Sequence, residues 1–183
     1  HAAKRLESLS QKLLQLMRLS EEPLELKPVS LARVVEEVGR STLPTCRRYG
    51  VRLRLPHTER WVLGDGDLLC DLLCNLVTNA AKASKPGQTV RVLSGGAPDG
   101  GVLVGVADTG SGIPAEAIAR VVEPFYMVDK SRARKSGGSG LGLALCQRIA
   151  EAHGSKLQIR SKLGSGTVVT VLLQPTAAGE ETA

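Results

Sequence analysis

Apolar positions divide the chain into helical and extended stretches that alternate along its length. Leu6, Leu9, Leu13 and Leu16 recur three and four residues apart with Lys, Arg, Glu and Gln between them, which predicts a helix over residues 2 to 20 with a coiled-coil-like seam. So narrow a seam calls for a partner helix, or for the surface of its own domain. Pro23 and Pro28 end that run, and Ser30 is expected to cap a second helix carrying Leu31, Val34, Val35 and Val38, with Gly39 and Pro44 near its end. Residues 51 to 55 alternate as a strand, and 61 to 63 form a short second one before a turn over 64 to 66. Asp67 is expected to cap a long helix from 68 to about 84, apolar at Leu69, Leu72, Leu73, Leu76, Val77 and Ala80 and stopped by Lys85, Pro86 and Gly87. Residues 90 to 93 and 102 to 106 predict a hairpin across a glycine-rich loop, and 113 to 122 a short helix opened by Pro114. A helix over 141 to 153, stopped by Gly154, and a strand pair over 157 to 161 and 168 to 173 close the pattern. The stretch 123 to 139 is polar, basic and glycine-rich without apolar period, so it is expected to be mobile. Residues 175 to 183 are expected to form a disordered tail.

These elements fit one buried α/β core plus an appendage, since 183 residues are too few for two ordinary domains. The expected division is a helical segment over 1 to 22, a domain over 23 to 174 and the tail. With 42% apolar and 23% charged residues the composition is that of a soluble globular chain, and no run of eighteen apolar residues or signal peptide interrupts it. The expected location is cytosolic. A net charge of +6 suits a polyanionic partner, whether nucleic acid, an anionic membrane surface or a ligand such as ATP. Nucleic acid is disfavoured, because aromatic residues make up only 2% and the basic side chains are scattered. Their one concentration, Lys130, Arg132, Arg134 and Lys135, lies in a loop rather than on a helix suited to a DNA groove. Cys46, Cys70, Cys74 and Cys146 form no CxxC pair, and they read as small buried hydrophobes in a reducing compartment.

Candidate chemistry gathers in four places. Asn75 and Asn79 stand one turn apart on the long helix, so both amides leave the same face. Taken alone they are compatible with amides satisfied by nearby backbone. They also suit Mg²⁺, which keeps several waters and needs few protein oxygens where phosphates supply the charge. Asp108-Thr-Gly110-Ser-Gly112-Ile113 follows a strand and precedes a predicted helix, so Asp108 sits at a strand end, able to accept from an exocyclic amine. Gly110 and Gly112 let backbone approach a base and ribose closely. Gly137-Gly138-Ser139-Gly140-Leu141-Gly142-Leu143 runs into a helix, where free amides and the positive helix end receive phosphate oxygens. It lacks the Gly-Lys-Ser/Thr of a P-loop and the preceding strand of a dinucleotide fingerprint. Gly164-Ser165-Gly166-Thr167 reads as a hairpin turn, from which Thr167 is expected to add a hydroxyl beside Asp108.

In order and spacing, these segments, with Glu123-Pro-Phe125-Tyr126-Met-Val-Asp-Lys130, resemble the N, G1, F and G2 boxes of sensor histidine kinases over about residues 1 to 174. The resemblance implies a Bergerat-type α/β two-layer sandwich, in which a mixed sheet carries helices on one face and ATP lies under a flexible lid. It implies that Asn79 and Asn75 hold Mg²⁺, that Lys82 faces the phosphates and that Asp108 reads adenine with Thr167 in support. Gly110, Gly112 and Ile113 would line the base pocket, while Gly138, Ser139, Gly140, Leu141 and Gly142 would supply donors to the phosphates. Lid residues Lys130 and Arg134 would reach the γ-phosphate, and Phe125 would anchor the lid. The implied activity is transfer of the γ-phosphoryl group of ATP to a histidine on a dimerisation hairpin, then to a response-regulator aspartate. The implied parent is a homodimer anchored in the bacterial inner membrane. Related ATPases carry a glutamate general base where Asn75 stands, and an amide cannot take that proton, so hydrolysis is disfavoured.

The sequence departs from the family in two ways. Ala83 replaces an aromatic residue expected after Lys82, which Tyr126 is placed to offset, and no histidine is followed by an acid as in the phosphoacceptor box. Helix 2 to 20 therefore resembles the second hairpin helix only. This chain is expected not to phosphorylate itself alone.

Overall fold

The computed structural model describes residues 2–21, 23–128 and 138–179. Its centre is a five-stranded mixed sheet whose valines alternate with the pleat. Strand β4 (Thr89–Gly96) runs antiparallel to β5 (Val102–Asp108), β5 to β7 (Gly166–Leu173), and β7 to β6 (Gln158–Lys162). Strand β2 (Arg52–Arg54) adds to the free edge of β4 in parallel, giving the order β2-β4-β5-β7-β6. Val90, Val92, Val104, Val106, Val169 and Val171 turn one face of this sheet into a buried wall.

Helices α2 (Leu31–Arg48), α3 (Gly66–Ala83) and α4 (Gly142–Ala152) form the second layer. Helix α3 is central, touching α2 on one side, α4 on the other, and β4 and β5 beneath. Leu72, Leu73 and Val77 are fully buried there. Burying each such side chain contributes about 1.5–3 kcal/mol, so α3 is fixed firmly enough to hold a site. The expected two-layer α/β sandwich with a mixed sheet is therefore observed.

Several local expectations need correction. The N-cap of α3 is Asp65, whose carboxylate accepts from the Leu68 N–H at 3.0 Å; Asp67 lies within the first turn. Ser30 precedes α2 without capping it through its side chain, and the Leu31 N–H donates instead to the Arg60 carbonyl at 3.0 Å. Helix α2 continues through Gly39 and Pro44 to Arg48. It tolerates Pro44 because that residue and Arg40, whose carbonyl loses its partner, both face solvent. Gly39 leaves room for Leu55, whose Cδ1 would lie 2.5 Å from a Cβ at that position. The helix expected over 113 to 122 is one 3₁₀ turn, Ala115–Ala117, followed by turns.

The sequence pattern gave no sign of β1 (Lys27–Ser30), which pairs antiparallel with β3 (Trp61–Gly64). The chain after β7 continues along β3, with the Leu63 N–H donating to the Gln174 carbonyl and the Thr176 N–H to the Trp61 carbonyl. Helix α1 (Ala2–Glu21) lies against α4, and its Leu16 and Leu19 pack on the domain core. Leu6, Leu14 and Met17 remain exposed. Helix α1 thus has one side on the domain and the other open. The segment expected to be mobile falls partly on residues 129–137, which lie outside the described residues.

Candidate nucleotide-binding site

Asn75 and Asn79 sit half-buried on α3, beneath a cavity of about 1000 Å³ that both line. The Asn75 Nδ2 donates to the Asp71 carbonyl one turn back at 2.9 Å, which turns its Oδ1 outward. That oxygen accepts a hydrogen bond from the Lys12 ammonium at 2.9 Å. Gly142 opens α4 directly against both amides: a Cβ there would lie 3.5 Å from Asn75 Oδ1 and 3.5 Å from Asn79 Nδ2. The Leu141 side chain does not cap α4; Ser139 Oγ accepts from the Leu141 N–H at 3.4 Å, and the first intrahelical bond is Leu145 N–H to the Leu141 carbonyl, which leaves the Gly142, Leu143 and Ala144 amides without an intrahelical acceptor. The helix dipole adds partial positive charge. This end of the cavity is built to receive an anion.

At the other end, β5 finishes at Asp108. Its Oδ1 accepts from the Gly110 N–H at 2.8 Å, and the Thr167 backbone N–H also bonds the carboxylate. Burial nevertheless outweighs these bonds and raises the Asp108 pKa above the ordinary carboxylate value. The glycine turns around Asp108 are locked to their neighbours. The Ser111 N–H donates to the Ala83 carbonyl at 3.0 Å, and a Cβ on Gly110 would come within 2.5 Å of that oxygen. Gly112 adopts φ +70°, and a Cβ there would run into the Lys162 carbonyl. The Ile113 N–H donates to Ser161 Oγ at 2.8 Å, and Ser161 also bonds the Thr167 hydroxyl at 2.9 Å.

The lid segment is closed at its base. The Phe125 N–H donates to the Gly140 carbonyl at 2.9 Å, while the Phe125 side chain remains 55% exposed. Tyr126 lines the cavity with the Arg120 guanidinium over its ring, 4.4 Å from the centroid.

One cavity therefore brings together Asn75, Asn79, Lys82, Asp108, Gly112, Ile113, Tyr126, Gly138, Ser139, Gly140, Gly142 and Thr167. Gly110 shapes the turn without lining the cavity, and the Leu141 side chain is fully buried, leaving only its backbone to act. The Thr167 hydroxyl is engaged by Ser161, so its support of Asp108 comes through the backbone N–H. Lys130 and Arg134 lie outside the described residues. Leu6, Leu9 and Lys12 of α1 also line the cavity, which the seam pattern did not signal. The apolar walls, such as Leu76, Val106 and Val169, carry the periodicity of ordinary core positions.

Among the described residues no group of three or more His, Cys, Asp or Glu side chains is placed to hold a metal ion. Oxygen donors at the phosphate end are amides, a set that suits a hard cation already shared with phosphates. The cysteines are free; burial pushes the Cys74 and Cys146 thiols up to about 12, so neither is a nucleophile at neutral pH. No described helix is long and apolar enough to cross a membrane.

A two-layer sandwich with an anion-receiving helix end and a carboxylate-marked glycine turn facing one cavity defines a nucleotide-binding domain. The model of the histidine kinase-, DNA gyrase B-, and HSP90-like ATPase family matches residues 64–177. Sensor histidine kinase YkoH of Bacillus subtilis (strain 168) is 36% identical over 149 residues, covering 81% of this chain and 32% of that protein. Sensor protein SrrB of Staphylococcus aureus is 31% identical over 176 residues, covering 93% of this chain and 30% of that protein. The chain thus spans about a third of the length of these curated relatives. Full-length ShkA in complex with AMPPNP superposes with a TM-score of 0.80 at 29% identity, over 95% of this chain and 37% of that one. Mycobacterial sensor histidine kinase MprB superposes with a TM-score of 0.67 at 28% identity, over 82% of this chain and 99% of that one. The chain belongs to the histidine kinase-, DNA gyrase B-, and HSP90-like ATPase family. Within that family it is a catalytic ATP-binding domain of the sensor histidine kinase kind.

Proposed function

We propose that this domain binds ATP with Mg²⁺ and passes the γ-phosphoryl group to a histidine on a dimerisation hairpin, for onward transfer to a response-regulator aspartate. The observation that carries this reading is the convergence of the Asn75–Asn79 face, the start of α4 and the Asp108 turn on one cavity. Asp108 accepts from the adenine amine, and Gly112 and Ile113 form the base pocket. The start of α4, Gly138, Gly140 and Lys82 meet the phosphates, with Lys130 and Arg134 joining them from the lid.

Asn79 and Asn75 would hold the Mg²⁺. The fit rests on Asn75 Oδ1, which is held outward and already meets a cation in the Lys12 ammonium. When bound, the metal neutralises phosphate charge and orients the terminal phosphate. The protein's own contribution is positioning and fixed positive charge. Asn75 cannot accept a proton from water, so an amide at that position favours transfer over hydrolysis. We further propose that the parent is a homodimeric receptor anchored in the bacterial inner membrane, that α1 belongs to its dimerisation hairpin, and that a receiver domain rather than nucleic acid is its downstream partner.

Radiolabelled ATP tests the reading. None of His1, His57 and His153 is followed by an acidic residue, so the chain alone should bind ATP and take up no label. Adding the parent's histidine-bearing hairpin should yield acid-labile, alkali-stable label on that hairpin, slowly, because encounter replaces tethering. Label on the chain alone would overturn the assignment of the acceptor. Rapid phosphate release by the chain alone would favour an ATPase instead.

A further inference from the structure

Lys12 enters the nucleotide cavity from α1, where a helical seam alone would predict no site residue. Its ammonium donates to Asn75 Oδ1 at 2.9 Å and is partly buried. The placement is supported along the same face of α1, for Gln15 Nε2 donates to Asp71 Oδ2 at 2.7 Å and Leu16 and Leu19 pack on the domain core. One side of the helix is thus seated on α3 and α4, and Lys12 is delivered to the cavity by that seating.

The charge at this end is carried by Lys12, while the nearby Asp71 carboxylate, one turn before Asn75, is engaged by Gln15. Asn75 is a neutral acceptor, so the hydrogen bond satisfies one ammonium proton without balancing its charge. Asp108 is the one carboxylate among the described residues that line the cavity, and it lies at the far end. The Asp108 turn is bonded to Ala83, eight residues beyond Asn75 on α3, or about 12 Å at 1.5 Å per residue. The unneutralised start of α4 abuts the same Asn75 amide. A half-buried ammonium and a helix N-terminus aimed at one spot favour a polyanion there.

Resting on the proposed ATP site, we infer that Lys12 is a phosphate-binding residue carried on α1, so that bound nucleotide fastens this helix to the catalytic domain. When phosphate arrives, Lys12 would turn its donors from Asn75 Oδ1 to the phosphate oxygens, which would leave that oxygen free to hold the metal. The linkage is reciprocal. Whatever draws α1 away from the domain weakens ATP binding, and ATP resists that withdrawal.

The test is calorimetry on the chain and its Lys12→Met and Lys12→Arg variants with ATP, in Mg²⁺ and again in EDTA, with adenosine titrated by NMR as the phosphate-free probe. Loss of a charge-assisted hydrogen bond at a half-exposed site should weaken ATP about tenfold in Lys12→Met, with and without Mg²⁺. Adenosine should bind all three proteins alike, and Lys12→Arg should recover most of the ATP affinity. Unchanged ATP affinity in Lys12→Met overturns the inference. Equal weakening of ATP and adenosine would make Lys12 a structural prop for α1. Tighter Mg²⁺-dependent ATP binding would make it a competitor of the metal at Asn75, and would likewise overturn it. If the unaltered chain binds no ATP, the proposed function fails first.

Discussion

Replacing Asp108 by Asn keeps the size of the side chain and changes what its second oxygen can do. In the structure Oδ1 accepts from the Gly110 N–H at 2.8 Å, and the Thr167 N–H also bonds the carboxylate. An amide can keep the Gly110 bond with its single oxygen, which turns the NH₂ toward the cavity or toward the Thr167 N–H. Either way a donor faces a donor, at a cost of about 1–3 kcal/mol for a mismatched buried group. If the mismatch falls on the adenine amine, ADP affinity should fall by about 5- to 150-fold, a factor of ten for each 1.4 kcal/mol. The fold should change little, because the substitution also removes a carboxylate whose charge burial disfavours. Calorimetry with ADP and urea denaturation separate the two effects, and a tenfold loss of affinity with stability within about 1 kcal/mol is the expected pair. The pH dependence has the same origin: a protonated Asp108 presents a donor, so ADP affinity should fall as pH falls through its raised pKa. That fall should begin at higher pH than the ordinary carboxylate value of about 3.9 implies. Unchanged ADP affinity in Asp108→Asn would remove this carboxylate from the base pocket.

Three further outcomes follow from the geometry. Asn79→Ala should weaken ATP binding chiefly when Mg²⁺ is present, and equal loss in EDTA would make Asn79 structural rather than a metal ligand. Gly112→Ala and Gly164→Ala both force alanine into positive φ, at about 1–2 kcal/mol each. Gly164 has open space while a Cβ on Gly112 meets the Lys162 carbonyl, so Gly112→Ala should be the more destabilising in urea; equal losses would refute that contact. His153 is buried, with Nε2 accepting from the Asp65 N–H at 3.0 Å and Nδ1–H donating to the Ile149 carbonyl at 2.7 Å; burial lowers its pKa. Its neutral form belongs to the fold, so its stabilisation is complete above its ordinary pKa of about 6.5 and declines as pH falls below that toward the lowered folded value. Urea midpoints between pH 5 and 7.5 should show this decline in His57→Gln and lose it in His153→Gln, because His57 is exposed.

The parts of the site legible in the sequence are those whose chemistry is local. Gly110, Gly112 and Gly166 stand where a Cβ would meet backbone within 2.9 Å or less, and glycines clustered at a strand end or in a hairpin turn expose such a demand in one dimension. Asn75 and Asn79 were legible for the same reason, since one helical turn separates them whatever packs above. Local rules failed where two residues satisfy the same rule. Asp65 and Asp67 are both plausible caps within Gly64-Asp-Gly-Asp67, and only the position of the first turn chooses Asp65. Pro44 failed as a helix stop because Val34, Val38, Thr42 and Cys46 keep one buried face intact on both sides of it. Strand β1 holds Pro28 and shows no clear alternation, so its existence depends on the partner Trp61–Gly64.

The contribution of α1 shows what local rules omit. Leu6, Leu9, Leu13 and Leu16 mark one seam in the sequence, yet the face seated on the domain is Leu9, Lys12, Leu16 and Leu19, rotated so that a lysine falls within it. A lysine on a packed face has a cost unless its ammonium finds a partner. That partner, Asn75 Oδ1, lies 63 residues further along the chain. The pairing also explains why Asn75 Oδ1 points into the cavity, since its Nδ2 is held by Asp71 and its oxygen by a cation from another helix. The amide that distinguishes this site from one with a carboxylate base is therefore oriented partly by α1. A carboxylate at position 75 would form an ion pair with Lys12 and hold the helix against the site in the absence of nucleotide. A neutral amide holds it more weakly, leaving the ammonium's charge for phosphate and making α1 docking responsive to ATP.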